Sequence, residues 1–125
     1  MANILLVEDY PNLQKIYRTV LEEEGHTVLT AADGNEGLLL ANQNKIDLIL
    51  LDLLMPNADG FEFLEAYKLK DHPSVKLIVL TNMFTTELLN RALELGVNNY
   101  LIKADITPQK MVKMVNETLG LPAKA

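Results

Sequence analysis

The sequence predicts an α/β domain: a doubly wound parallel sheet made of five βα units. Three observations carry this reading. Five short apolar runs recur along the chain, and each is followed by a stretch of helical periodicity. Three of the five (residues 4–7, 48–51 and 77–80) are continuously apolar, as strands buried on both faces of a parallel sheet are. Strict alternation of strand and helix calls for parallel neighbours joined by right-handed crossovers. Strand order 2-1-3-4-5 is the common five-stranded solution, with two helices on one face, three on the other, and a ligand crevice where the first and third strands diverge.

The elements follow in order. The first strand covers residues 4–7. After Pro11, the residues Leu13, Ile16, Tyr17, Val20 and Leu21 keep helical spacing, and Gly25 suits the helix end. Residues 27–31 form the second strand. Asp33 before Gly34 reads as turn chemistry. A weaker helix spans about 35–42, interrupted by Gly37; of Leu38, Leu39 and Leu40 one should reach the surface. The third strand is residues 48–51. Phe61, Leu64 and Leu69 mark a helix that should stop before Pro73. Residues 77–80 are the fourth strand, and Leu88, Leu89, Ala92, Leu93 and Leu95 a helix closed by Gly96. Residues 100–102 are the fifth strand. In the last helix Thr107 caps, Pro108 occupies the first turn, and Met111, Val112, Val115 and Leu119 face inward. One domain over residues 1–119 is expected, with 120–125 a tail or the start of a linker.

Composition narrows the function. Among 125 residues, 17 acids face 11 bases, a formal charge of −6. Nucleic acid and anionic membranes demand a basic face, so neither is an expected direct partner. There is no cysteine, which excludes a disulfide scaffold, a thiolate metal site and a cysteine nucleophile. No apolar run approaches the roughly 20 residues of a membrane span, and no basic leader is evident, so a cytoplasmic domain is expected. The first strand runs into Glu8-Asp9-Tyr10-Pro11 without glycine, which disfavours a dinucleotide loop.

All strands of a parallel sheet end on one edge. That edge carries Glu8 and Asp9, Asp52, Thr81 and Lys103. Each alone reads as solvated surface: the acidic pair could favour a helix N-terminus, Thr81 could cap a helix, Lys103 could be exposed. Together they serve one task. Two negative charges about 5 Å apart cost roughly 3 kcal/mol at an effective dielectric near 20, so clustered carboxylates raise a pKa or bind a cation. Oxygen ligands without histidine or cysteine suit Mg²⁺, with Mn²⁺ as a substitute. A lysine and a hydroxyl suit a phosphoryl anion, and an aspartate among them can be its acceptor.

These residues resemble the receiver domain of bacterial two-component response regulators over about residues 3–119. The most specific segment is Asp52-Leu53-Leu54-Met55-Pro56-Asn57-Ala58-Asp59-Gly60 behind an apolar strand, reinforced by Val7-Glu8-Asp9, Leu80-Thr81 and Tyr100-Leu101-Ile102-Lys103. The resemblance implies a flavodoxin-like (βα)₅ fold and a switch rather than an enzyme. It implies Asp52 as phosphoacceptor and Mg²⁺ held by Asp9, Asp52 and the carbonyl of Leu54, with Glu8 acting mainly through water. Thr81 and Lys103 would contact phosphoryl oxygens. Tyr100 would be the switch aromatic, and the fourth helix, fifth strand and fifth helix the face that responds. Gly60 is expected at positive φ. Implied partners are a histidine kinase or histidine phosphotransfer protein, docking near Gln14 and Lys15, and a downstream protein target or linked output domain. Monomer or weak homodimer stays open.

The chain departs from the family pattern at four positions. Ala104 follows Lys103 where proline, often cis, is usual, which implies a trans loop or strain. Asn82 replaces a small residue and either narrows access or donates a hydrogen bond. Leu54 and Met83 are apolar where the family tunes water access, so a comparatively long-lived phosphorylated form is expected. The competing readings are a pseudo-receiver that only binds partners, and an aspartate-nucleophile phosphatase; the latter typically carries a second acid where Leu54 stands.

Overall fold

The computed structural model describes residues 2–53, 59–82 and 85–121. Its elements are β1 (Asn3–Val7), α1 (Pro11–Glu23), β2 (Thr27–Ala31), α2 (Gly34–Gln43), β3 (Leu48–Asp52), α3 (Gly60–Tyr67), β4 (Lys76–Thr81), α4 (Thr86–Glu94), β5 (Asn99–Ile102) and α5 (Pro108–Leu119). All four strand pairings are parallel. The order is β2-β1-β3-β4-β5, the common five-stranded arrangement, as expected.

Period-two alternation divides the apolar runs between two layers. Leu5, Val7, Ile49, Leu51, Leu77 and Val79 pack on the side of α2, α3 and α4, together with Phe63, Leu64 and Ala92. Ile4, Leu6, Leu48, Leu50, Ile78 and Leu80 pack on the side of α1 and α5, with Tyr17, Leu21, Met111 and Val115. All five residues of β3 are buried, which explains its unbroken apolar run.

Helix ends follow local chemistry, with several departures from the sequence reading. Asp33 is an N-cap rather than mere turn chemistry: its carboxylate accepts from Glu36 N–H, while Glu36 Oε1 accepts from Ala32 N–H. Gly37 does not break α2. A Cβ there would sit 2.9 Å from Val7 Cγ2, so glycine lets the helix lie close on β1. Leu39 is the leucine that reaches solvent. The third helix ends earlier than Pro73 demands, because Lys68 takes a left-handed conformation (φ 54°) and Leu69 falls in a separate 3₁₀ turn, Leu69–Asp71. Thr107 caps α5 through Lys110 N–H, with Pro108 in the first turn, as expected. Ile16 departs from the predicted stripe: α1 buries Tyr17 and Leu21 and leaves Ile16 half exposed.

Candidate functional site

Strand register assembles the site. Val7 pairs with Leu51, so Glu8 emerges beside Asp52. Asp52 pairs with Leu80, which puts Thr81 one step beyond it. Thr81 pairs with Ile102, which brings Lys103 up last, at the start of the 3₁₀ turn Lys103–Asp105. Glu8, Asp52 and Thr81 are buried, at 0%, 3% and 0% exposure. Burying three polar residues at the ends of apolar strands is costly unless they meet partners.

Lys103 supplies one. Its ammonium lies 2.8 Å from Asp52 Oδ2 and 2.5 Å from Glu8 Oε1, with only 10% of the side chain exposed. The Asp52 contact is a hydrogen bond. The Glu8 contact is an ion pair to the same ammonium. Burial pushes the Glu8 carboxyl up to about 7; Lys103 pulls it down and Asp52 pushes it further up. Burial alone would lower the Lys103 ammonium, but hydrogen bonds and charge from Asp52 and Glu8 outweigh it and raise the group. Under this cluster the Tyr17 phenol is raised chiefly by burial.

Asp9 is more open to solvent. Glu8, Asp9 and Asp52 each bring a carboxylate oxygen to within 4.8 Å of the others. Three hard oxygen donors with one lysine fit a small divalent cation.

Thr81 does not cap α4; Thr85 does, through Leu88 N–H. The N-cap of α1 is Tyr10, without a side-chain cap bond, so neither Glu8 nor Asp9 serves as that cap. Lys103 is not a surface lysine. There is no cis peptide bond among the described residues, so the Lys103–Ala104 bond is trans. Asn82 is exposed. Tyr100 stands on β5 with 42% exposure, opposite Val79. Leu54 and Met83 lie outside the described residues. Gly60 differs from expectation: its φ is not positive, and what it supplies is space. A Cβ there would lie 2.7 Å from Asp52 O and 2.7 Å from Leu53 Cα. Gly60 N–H donates to Leu53 O at 2.9 Å, which ties the start of α3 to the strand that carries Asp52.

Gln14 is the residue the sequence reading misplaced. Rather than facing a docking partner, its Nε2 donates to Glu8 O at 3.1 Å and to Ala31 O at 3.3 Å. The signal was present: Gln14, Tyr17 and Leu21 stand at i, i+3 and i+7, on the face that α1 buries. Lys15 is exposed as expected.

The response regulator receiver domain model matches residues 4–116. The KDP operon transcriptional regulatory protein KdpE of Escherichia coli (strain K12) is 39% identical, over 99% of this chain and 63% of that protein. A probable transcriptional regulator, ycf27, of Guillardia theta is 31% identical over 98% and 47%. The chain spans about half the length of the curated relatives it matches. Among solved structures, a CheY-like receiver domain protein from Methanospirillum hungatei JF-1 superposes with a TM-score of 0.89 at 29% identity, covering 96% of this chain and 94% of that one. The chemotaxis protein CheY4 of Vibrio cholerae gives 0.87 at 28%, covering 94% and 98%. With fold, strand-end residues and family model in agreement, this chain belongs to the response regulator receiver domain family.

Proposed function

We propose that the chain is a phosphorylation-controlled switch in which Asp52 accepts a phosphoryl group from a phosphohistidine. The observation that carries this is the buried Glu8–Lys103–Asp52 ion triplet at the carboxyl edge of the sheet, with Asp9 beside it. The donor would be a histidine kinase or a histidine phosphotransfer protein.

In this reading an Asp52 carboxylate oxygen attacks phosphorus in line. A P–O bond forms as the P–N bond to histidine breaks, and the imidazole leaves with that electron pair. Lys103, already on Asp52 Oδ2, orients the carboxylate and neutralises charge on the phosphoryl oxygens; Thr81 donates to another. Asp9 and Asp52 would hold Mg²⁺ with the Leu54 carbonyl, and Glu8 mainly through water. When bound, the cation neutralises charge between acceptor and phosphoryl group. The added dianion then biases α4, β5 and α5, with Tyr100 as the aromatic that reports the state of Thr81. A downstream protein or a linked output domain would read that face.

The test is intact mass after incubation with acetyl phosphate and with a phosphorylated histidine donor, each with Mg²⁺ and with EDTA. One Mg²⁺-dependent phosphoryl adduct, absent from Asp52→Asn, is expected. No adduct from either donor, with no Mg²⁺ binding, replaces the switch by a phosphorylation-independent interaction module.

A further inference from the structure

We infer that Gln14 is a positioning residue for the acidic site, fixing the Glu8–Asp9 backbone through paired hydrogen bonds to the carbonyls of Glu8 and Ala31. The inference rests on the cation-dependent reading above and deepens it.

The need for such a residue arises where the sheet ends. β1 and β2 stop pairing at Val7 and Ala31. One more ladder bond follows, from Glu8 N–H to Ala31 O at 3.0 Å. Beyond it the β1–β2 ladder ends, and among the described residues the Glu8 carbonyl has no strand partner although its residue is wholly buried. A buried carbonyl in that position demands a donor. Gln14, in the first turns of α1, has two amide hydrogens and spends one on each carbonyl. Both neighbours are acceptors, so only the nitrogen of the carboxamide fits there.

The result is a closed clamp. Ala31 O receives Glu8 N–H and Gln14 Nε2, and Glu8 O receives the second Gln14 hydrogen. It holds the peptide between the two adjacent acids, whose carboxylates converge on Asp52. Gln14 N–H donates to Tyr10 O at 3.0 Å, so the helix that carries the clamp begins right after the residues it positions. Residues that orient ligands without touching the ion typically change metal affinity by ~10–100-fold when removed.

The experiment is calorimetric titration of Mg²⁺ into the full chain and into Gln14→Met and Gln14→Glu, with urea unfolding and amide exchange on each. Gln14→Met keeps the length and removes both donors; a ~10-fold weaker Mg²⁺ Kd and faster exchange of the Glu8 amide are expected. Gln14→Glu separates positioning from charge. A mere electrostatic role predicts tighter Mg²⁺ binding, whereas the clamp predicts weaker binding, since a carboxylate repels both carbonyls. Tighter binding by Gln14→Glu, or an unchanged Kd in Gln14→Met, overturns the inference while the wild-type titration keeps the switch reading standing. A wild-type chain that binds no Mg²⁺ removes both. If Gln14→Met unfolds at the assay temperature, Gln14→Asn, one methylene short of the two carbonyls, carries the same expectation.

Discussion

The two edges of the sheet handle buried polar groups in opposite ways. At the amino edge three side chains close backbone groups. Asp47 Oδ2 accepts from Asn3 N–H at 2.7 Å, and Asp47 N–H returns a bond to Asn3 O at 2.8 Å. His26 Nδ1 accepts from Ala2 N–H, and Nε2 meets Asn116 Oδ1. Asn98 Oδ1 accepts from Leu77 N–H, while Asn98 N–H donates to Leu77 O. At the carboxyl edge two buried carboxylates share one ammonium, and a third, that of Asp9, stands beside them. The first edge uses polarity to hold the fold together. The second gathers more carboxylates than cations, an arrangement compatible with a bound divalent ion and one that raises the Glu8 carboxyl.

Four substitutions sharpen or break the contrast. The largest effect is expected from Lys103→Met, which leaves two buried carboxylates without their cation. A loss of ~3–5 kcal/mol in urea unfolding at pH 8 in EDTA is expected, much of it recovered with Mg²⁺. A loss below ~1 kcal/mol would mean the acids are not in conflict.

Glu8→Gln should act in the opposite sense. A carboxyl at about 7 in the fold and near 4.5 unfolded binds its proton more tightly when folded. The contribution of Glu8 is therefore greatest below about pH 4.5 and is lost as pH rises through 7, roughly 3 kcal/mol in all. Urea melts in EDTA at pH 5 and 8 should show that fall in the wild-type chain and flatten it in Glu8→Gln, which gains stability at pH 8. Parallel pH dependences in the two proteins would dismiss Glu8 as the source.

The amino edge should behave differently. His26→Ala strands Ala2 N–H and the Asn116 side chain and should cost ~2 kcal/mol. Asn98→Ala strands Leu77 N–H and should cost ~1 kcal/mol. Neither value should change on adding Mg²⁺, measured as the same difference in urea midpoint with cation and with EDTA. If Mg²⁺ altered either cost, the two edges would be energetically coupled and the contrast would fail.

Much of this was legible in the sequence because a parallel sheet gathers its strand ends. Once the apolar runs were placed, Glu8, Asp9, Asp52, Thr81 and Lys103 had to share an edge, and register brings them together. What escaped depends on rotation and backbone state. The helix stripe of α1 is turned by about one residue, enough to expose Ile16 and bring Gln14 inward. The early stop of α3 rests on a left-handed Lys68, which composition does not announce. Gly60 was expected for its conformational freedom, yet steric room beside Asp52 and Leu53 is what the fold asks of it.

Gly60 has a further consequence. The chain leaves the strand at Leu53 and is stitched back to the same residue by the Gly60 N–H bond. The start of α3 is thereby locked to the strand end that carries Asp52. A side chain added at Gly60 would press on Asp52 O and Leu53 Cα, so damage done at the head of a helix would be felt first at the end of a strand.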